Sequence, residues 1–176
     1  MSRIKKVVII GPESTGKSTL AQNLAHYYKD PWVPEYARKY LENLTRGYDY
    51  ADLLNIAKGQ LRQEDRQLKM ARRVIFCDTN LQVIKVWSDH RFKKTDPWII
   101  DQISQRPYDL YLLTDIDMPW QEDPLREHPQ PAMRQHFWEI YHQFLLEAKV
   151  PFEKIYGDQK MRLSQATEAV NRLLNN

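Results

Sequence analysis

The sequence lacks the features that mark secreted, membrane-spanning and nucleic-acid-binding proteins. Its single cysteine, Cys77, excludes an internal disulfide and is typical of a reducing compartment, so we expect a cytoplasmic protein. The initial segment MSRIKKVVII holds only four consecutive apolar residues, too few for a signal peptide or a membrane span. The net charge is only +3 and the basic residues are scattered, which argues against nucleic acid as a partner.

Linkers, internal repeats and low-complexity tracts are also missing. A chain of 176 residues, 42% hydrophobic and 28% charged, is long enough to bury one core and too short for two full domains. We therefore expect one domain over residues 1–176. The composition leaves the oligomeric state open, a homo-oligomer included.

Glycine is scarce as well, yet two of the five glycines lie in one short stretch. Residues 11–19 read GPESTGKST, and their spacing, Gly11-x-x-x-x-Gly16-Lys17-Ser18, is that of a P-loop. In such a loop, backbone N–H groups and the start of the next helix face the phosphates of a nucleotide. We expect Lys17 to reach the β- and γ-phosphates and the Ser18 hydroxyl to ligate Mg²⁺.

Short apolar segments alternate with longer segments of helical periodicity. This order predicts an α/β fold of the P-loop NTPase type, with a parallel five-stranded sheet sandwiched by helices. The predicted strands are RIKKVVII, the short segment around Trp32 and Val33, VIFCD, YDLYLLTD and FEKIYG. Ligands of such sheets bind at the carboxyl ends of the strands, so the residues that follow strands are candidates for the site.

One segment departs from this alternation. DIDMPWQEDPLREHPQPAM, residues 115–133, has four prolines and no sustained apolar period. A loop of this length in a compact domain is commonly functional, so we predict a lid around residues 115–134. A disordered insertion is the alternative interpretation.

Two acidic residues at predicted strand ends are candidates for catalysis. Asp78 closes VIFCD, where P-loop proteins place the acid that holds Mg²⁺ directly or through water. Glu35 follows the short second strand and would face an acceptor hydroxyl, although an acid in the first turn also stabilises a helix. The spacing alone does not decide which of the two acts on the acceptor.

Absent signatures narrow the kind of P-loop protein. Thr79 follows Asp78 where hydrolases commonly have a second acid, and the segment lacks the DxxG of a switch GTPase. The guanine signature NKxD does not occur anywhere in the chain. Phosphoryl transfer to a small hydroxyl compound remains, which favours a nucleoside or metabolite kinase.

Three arginines lie near these candidates. Arg38 follows Glu35 by one helical turn and is placed to brace that acid or to contact phosphate. Arg126 in the lid and Arg134 at the start of the next helix are placed to close over a triphosphate, a role that suits the forked donors of arginine. Solvated surface arginines are the alternative.

Aromatic residues suggest the chemistry of the acceptor. Trp32, Tyr36 and Trp120 are expected near the acceptor site, where aromatic rings and carboxylates suit a flat cationic ring. Trp87 and Trp138 lie among apolar helical positions, so we expect them in the core.

Four stretches together resemble the ribosylnicotinamide kinase domain of the bacterial NadR proteins and their stand-alone relatives. They are GPESTGKST, VPEYARKYL, VIFCDTN and YDLYLLTDIDMPWQEDPLRE, in the family's order and over most of the chain. The most specific parts are Glu13, Glu-Tyr-x-Arg after the second strand, and Pro-Trp-x-x-Asp-x-Leu-Arg. The resemblance implies a thymidylate-kinase-like fold that phosphorylates nicotinamide riboside to nicotinamide mononucleotide with ATP.

The resemblance also implies roles for individual residues. In the acceptor pocket fall Glu35, Tyr36, Arg38 and Asp78, and in the lid Asp123 and Arg126. The ATP phosphates are bound by the P-loop residues Gly11, Pro12, Glu13, Ser14, Thr15, Gly16, Lys17, Ser18 and Thr19.

Full-length NadR proteins carry an adenylyltransferase domain before the kinase, and some also carry a DNA-binding domain. The P-loop here starts at residue 11, so we expect neither NAD synthesis from the mononucleotide nor transcriptional repression. Two alternatives stay open. One is a kinase for another nucleoside, such as a deoxynucleoside, and the other is a regulatory module that binds ATP without useful turnover.

Overall fold

The computed structural model describes residues 3–175 and contains the predicted alternation of strands and helices. Five parallel strands form one sheet in the order β2-β3-β1-β4-β5. The strands are β1 (Lys5–Ile10), β2 (Trp32–Val33), β3 (Val74–Asp78), β4 (Leu110–Thr114) and β5 (Phe152–Ile155). The predicted five-stranded parallel sheet is confirmed.

Helices fill the connections and follow the last strand. They are α1 (Lys17–Tyr28), α2 (Tyr36–Glu42), α3 (Tyr50–Leu68), α4 (Leu81–Phe92), α5 (Pro97–Gln105), α6 (Pro131–Ala148) and α7 (Gln159–Asn175). Side-chain caps fix several starts: Asn80 accepts from the backbone N–H groups of Gln82 and Val83 at the start of α4. Among the described residues, no helix has the length and apolar character that crossing a membrane requires.

Two apolar layers hold the sheet between helices. On one face, alternate β1 residues such as Val7 and Ile9 pack with α1 and α7. On the other face, Val8 and Ile10 pack with α6 and part of α4. All four of these β1 side chains are fully buried, as expected for a central strand covered on both faces. Helices α2 to α5 enclose a third cluster, which includes Leu53.

The register of the sheet determines where the site lies. Ile9 of β1 is level with Asp78 of β3, and Ile10 is level with Leu113 of β4. The carboxyl ends of β1, β3 and β4 therefore meet at one edge, directly before the P-loop.

The predicted lid is irregular from residue 115 to residue 130, without helix or strand. It starts at this same edge, where the Asp115 backbone N–H donates to the Ile155 carbonyl over 2.8 Å. Helix α6 begins at Pro131, earlier than the predicted end of the lid, because proline is well accommodated in the first turn of a helix. Arg134 therefore belongs to α6.

Candidate functional site

The P-loop occupies the turn between β1 and α1. Gly11 has a φ of 148°, and a Cβ added to it would lie 2.2 Å from Thr114 Oγ1, so no side chain fits there. Ser14 and Gly16 have left-handed φ values of 57° and 76°. Such values curl the chain into a concave turn whose N–H groups bind anions.

Side chains within the loop maintain this shape. Thr15 is fully buried, and its Oγ1 donates to the Pro12 carbonyl over 2.8 Å. Lys17 Nζ donates to the same carbonyl over 2.6 Å. Burial lowers the pKa of Lys17, while the negative charge of Glu35 opposes that shift. The loop thus presents an ammonium group together with backbone donors, which fits the phosphates of a nucleotide.

Ser18 and Asp78 form the pair predicted to hold Mg²⁺. The Ser18 hydroxyl donates to Asp78 Oδ2, whereas Oδ1 is buried and has no hydrogen-bond partner among the described residues. An unpaired buried carboxylate oxygen is costly, and a bound cation offsets that cost. Mg²⁺ prefers oxygen ligands and commonly takes one or two from protein and the rest from phosphates and water. The residues present therefore fit a Mg²⁺ ion.

Glu35 precedes α2 without forming a side-chain cap of that helix. Burial, reinforced by the nearby charge of Asp78, raises the pKa of Glu35 to about 7, and Lys17 partly opposes the shift. Burial also raises the pKa of Asp78, while its hydrogen bond from Ser18 acts in the opposite direction. A carboxyl group with a pKa near neutrality can exchange protons efficiently near pH 7.

The raised pKa of Glu35 predicts a pH-dependent stability effect. The neutral carboxyl is favoured in the folded state, so this contribution to stability is present below about pH 4.5 and is lost as the pH rises through about 7. Glu35→Gln cannot ionise, so we expect its free energy of unfolding at pH 8 to exceed that of wild type by about 3 kcal/mol. At pH 4 the difference should vanish. Urea denaturation at both pH values measures this, and equal stabilities at pH 8 would contradict the burial of an ionised Glu35.

A cavity of about 580 Å³ joins the P-loop to a wall of aromatic side chains. Glu35 lines this cavity together with the P-loop residues. Four aromatic side chains also line it, and together we call them the aromatic wall: Tyr48, Trp87, Phe137 and Tyr141. The cavity is large enough for a small nucleoside beside the phosphate cradle.

Polar groups connect the aromatic wall to the lid. Trp87 Nε1 donates to Tyr48 Oη over 2.9 Å, and the Tyr48 hydroxyl donates to Glu127 Oε1 over 2.9 Å. Burial raises the pKa of Tyr48 to about 12, so the phenol stays neutral and able to donate. The cavity therefore combines flat apolar surfaces with a carboxylate at its rim.

The lid is tied to the P-loop and to α2. Both carboxylate oxygens of Glu13 accept the backbone N–H of Glu127, and Oε2 also accepts that of His128 over 3.0 Å. Arg38 Nη2 donates to Asp123 Oδ2 over 2.8 Å. The Glu13 side chain thus contacts the lid, so any contribution to phosphate binding comes from its backbone. Arg38 contacts the lid through Asp123 and also lines the cavity.

Arg126 in the lid and Arg134 on α6 have different surroundings. Arg126 lines the cavity and lies within 3.3 Å of Ser14 Oγ, to which its Nη1 donates. Arg134 is buried beneath the P-loop and does not line the cavity. The guanidinium carbons of both lie near the Trp120 ring, 5.8 Å and 5.9 Å from its centroid.

Three aromatic residues lie elsewhere than expected. Trp32 packs against the core under α1 and α7, because neighbouring residues of a strand face opposite sides and Val33 takes the other side. The Tyr36 ring fills the space above Gly59, where an added Cβ would lie 2.0 Å from it. Trp120 contacts arginines, as described above, and none of the three lines the cavity.

Trp87 was expected in the core on helical periodicity. It is partly buried against the third apolar cluster, as expected, and it also lines the cavity. The apolar positions of α4 face both the core and the cavity, so periodicity does not separate the two. Trp138, also expected in the core, is partly buried against the layer under α6.

Sequence reasoning also missed residues that complete the site. Tyr48 lies in a loop before α3 with no local signal of its position. Arg162 is only 2% exposed and donates to the Thr15 carbonyl of the P-loop over 2.7 Å. The sequence offers one indication of this role: Arg162 precedes the buried Ala166 by four residues, which places this basic residue on the buried face of α7.

The family of the chain follows from comparison with known proteins. A family model described as an AAA domain matches residues 6–162. The chain belongs to this family. It is also 27% identical over 97% of its length to the trifunctional NAD biosynthesis/regulator protein NadR of Escherichia coli (strain K12), and equally to that of Salmonella typhimurium (strain LT2). The chain spans only 43% of the length of these relatives.

Solved structures show the same fold. A crystal structure of NadR protein in complex with NR superposes with a TM-score of 0.82 at 23% identity, covering 99% of this chain and 50% of that one. Thymidylate kinase from Ehrlichia chaffeensis superposes with a TM-score of 0.63 at 14% identity, covering 98% and 100%. The predicted resemblance to NadR and the thymidylate-kinase-like P-loop fold are confirmed.

Proposed function

We propose that this protein is an ATP-dependent kinase that phosphorylates nicotinamide riboside to nicotinamide mononucleotide. The observation that carries the proposal is the cavity, which is lined by the P-loop, by the aromatic wall and by Glu35. A donor nucleotide and a small ring-bearing acceptor can occupy it together. The match to NadR over nearly the whole chain supports the choice of acceptor.

Each residue of the proposed site has a chemical task. Glu35, with its pKa of about 7, accepts the proton of the acceptor hydroxyl as that oxygen attacks the terminal phosphate. Lys17 and Arg126 place positive charge where the transferred phosphoryl group gains negative charge. Ser18 and Asp78 would hold Mg²⁺, which neutralises charge on the donor phosphates.

The aromatic wall suits the acceptor's base. The pyridinium ring of nicotinamide riboside is flat and positively charged, and such rings are attracted to the faces of tryptophan and tyrosine. Trp87 and Tyr48 replace Trp32, Tyr36 and Trp120 as the rings proposed for this contact, because they line the cavity. Glu127, hydrogen-bonded to Tyr48, adds a negative charge at the rim.

ADP formation with a panel of acceptors tests the proposal. The panel contains nicotinamide riboside, its uncharged reduced-ring form and thymidine, at saturating ATP and Mg²⁺. A preference for thymidine would support the alternative deoxynucleoside kinase. The supporting observation is the fold of deoxyadenosine kinase from M. mycoides, which superposes with a TM-score of 0.60 at 13% identity, covering 95% of this chain and 99% of that one. ATP binding without ADP formation for any acceptor would support a regulatory module.

Trp87→Leu is expected to reduce the preference for the charged ring. Loss of a cation–π contact should lower kcat/KM for nicotinamide riboside relative to the reduced-ring form by about 3- to 30-fold. Trp138→Leu is the matched control, since Trp138 packs on the core away from the cavity. An unchanged preference in Trp87→Leu would remove Trp87 from the acceptor contact.

The same proposal assigns the enzyme, as one domain, to the cytoplasm, where a buried free thiol such as Cys77 stays reduced. Neither nucleic acid nor a second copy of the chain is required, because one chain supplies both the P-loop and the aromatic wall of the cavity.

A further inference from the structure

Two buried arginines donate hydrogen bonds to the backbone of the P-loop. Arg134 on α6 is 7% exposed and Arg162 on α7 is 2% exposed. Arg134 Nη2 donates to the Ser14 carbonyl over 3.1 Å, and Arg162 Nη1 donates to the Thr15 carbonyl over 2.7 Å. Neither arginine lines the cavity. Two helices distant in sequence thus hold consecutive carbonyl groups of the P-loop.

Arg162 has further partners on two other segments. Its Nε donates to the Gly157 carbonyl over 2.7 Å, and its Nη2 donates to the Asp115 carbonyl over 3.1 Å. Nη2 also pairs with the carboxylate of Asp117, which accepts the Gly157 backbone N–H as well. The guanidinium therefore joins the P-loop, the first residues of the lid and the turn between β5 and α7.

Arg134 makes a smaller bridge of the same kind. The nitrogen that donates to Ser14 also donates to the Met118 carbonyl in the lid, over 3.2 Å. Both arginines consequently fix the first residues of the lid relative to the P-loop.

Peptide geometry gives these contacts a consequence for nucleotide binding. In a planar trans peptide, the carbonyl of one residue and the N–H of the next point in opposite directions. The Ser14 and Thr15 carbonyls point to Arg134 and Arg162, which do not line the cavity, so the N–H groups of Thr15 and Gly16 point away from these arginines. These residues lie before α1 and outside the sheet, so no backbone ladder fixes them.

We propose that Arg134 and Arg162 are positioning residues for the nucleotide: they orient the Thr15 and Gly16 N–H groups towards the phosphates without contacting the phosphates themselves. The inference rests on the proposed function only in taking ATP as the phosphoryl donor. It differs from the sequence-based expectation for Arg134, which placed that guanidinium over the triphosphate.

Arg162→Lys separates orientation from charge. Lysine keeps the positive charge, but its point-like ammonium group cannot bridge three segments as the planar guanidinium does. We expect the Kd for ATP, and for tripolyphosphate as a probe of the cradle alone, to rise about tenfold or more in Arg162→Lys. The Kd for nicotinamide riboside, measured without nucleotide, should stay within about twofold. Isothermal titration calorimetry measures all three.

Arg172→Met is the matched control on the same helix. The Arg172 guanidinium forms ion pairs at the surface with Glu153 and Glu168, neither of which belongs to the P-loop. This variant should bind ATP and tripolyphosphate as the wild type does. Arg134→Lys, like Arg162→Lys, should weaken both ligands, so the inference stays testable if one of the two substituted chains fails to fold.

The NMR signals of the glycine amides provide a second measurement, and a loss of stability alone would not change it. The chain has five glycines, so a ¹⁵N-glycine-labelled sample gives a spectrum that is simple to assign. We expect Arg162→Lys to shift the Gly16 and Gly157 signals in the free protein and to leave Gly47 and Gly59 in place. At saturating tripolyphosphate, the ligand-induced shift of Gly16 should be smaller than in wild type.

The outcomes separate this inference from the proposed function. A wild type that binds neither ATP nor tripolyphosphate contradicts the proposed function and the inference together. A wild type that binds ATP with the same Kd as Arg162→Lys and Arg134→Lys contradicts the inference alone. Equal weakening of nicotinamide riboside in these variants would also overturn it, because the arginines would then support the whole site.

Discussion

Lys17→Ala is expected to lower kcat/KM for phosphoryl transfer by about 100-fold or more, because one cation at the transferred phosphoryl group is lost. Lys17 Nζ lies within the phosphate cradle, where it donates to the Pro12 carbonyl. Lys17 belongs to none of the three apolar clusters described above, so the melting temperature should change little. Initial rates of ADP formation with nicotinamide riboside and saturating Mg²⁺ measure the effect.

Lys85→Ala is the control for this substitution. Lys85 is paired with Asp89 on the surface of α4 and does not line the cavity, so its removal should leave the rates unchanged. Activity of Lys17→Ala within a few-fold of wild type would contradict the assignment of the P-loop as the catalytic phosphate site.

Glu35→Gln is expected to lower kcat by about 10²- to 10⁴-fold, the usual contribution of a general base. In the wild type, kcat/KM should rise with pH up to about 7 and then level off, because only the ionised carboxylate accepts a proton. The residual activity of Glu35→Gln should lack this rise. Rates between pH 5.5 and 8.5 test both expectations.

Two further variants serve to assign the pH dependence to Glu35 or to Asp78. Glu42→Gln changes an exposed acid at the end of the same helix and should keep the wild-type pH profile. Asp78→Asn should raise the Mg²⁺ concentration needed for half-maximal rate, since Asp78 is assigned to the metal. If Asp78→Asn removes the pH-dependent rise and Glu35→Gln keeps it, the roles of the two acids are reversed.

The sequence predicted the parts of the site that depend on local pattern. Three predicted features lie at the expected edge of the sheet. They are the P-loop, the acid at the end of VIFCD and the irregular segment of the lid. The reason is general: in a parallel sheet, the carboxyl ends of neighbouring strands meet, whatever the connections between them. Gly11, Asp78 and Thr114 are brought together by this rule alone.

The placement of the aromatic residues could not be derived in the same way. In a strand of two residues, a shift of one position exchanges the two faces, and Trp32 takes the face opposite the site. Tyr36 is directed onto α3 because Gly59 leaves room for its ring, a contact between residues far apart in sequence. Trp87 enters the cavity from a helix that is also part of the core.

The contacts of Arg134 and Arg162 with the P-loop could not be predicted from local sequence pattern either, because they also join residues far apart in sequence. Arg162 acts on Thr15 across most of the length of the chain, and nothing in residues 159–175 alone shows that a P-loop carbonyl lies opposite. A buried charged residue on an otherwise apolar helix face indicates a polar partner without identifying it.

Direct detection of phosphoryl transfer tests the central claim. Wild-type protein is incubated with ATP labelled in its γ-phosphate, Mg²⁺ and nicotinamide riboside, and the products are separated and identified by mass. The central claim predicts nicotinamide mononucleotide that carries the label, formed in equal amount to ADP and about 100-fold more slowly, or slower still, by Lys17→Ala. Labelled inorganic phosphate without the mononucleotide, or transfer to thymidine in preference to nicotinamide riboside, would contradict it.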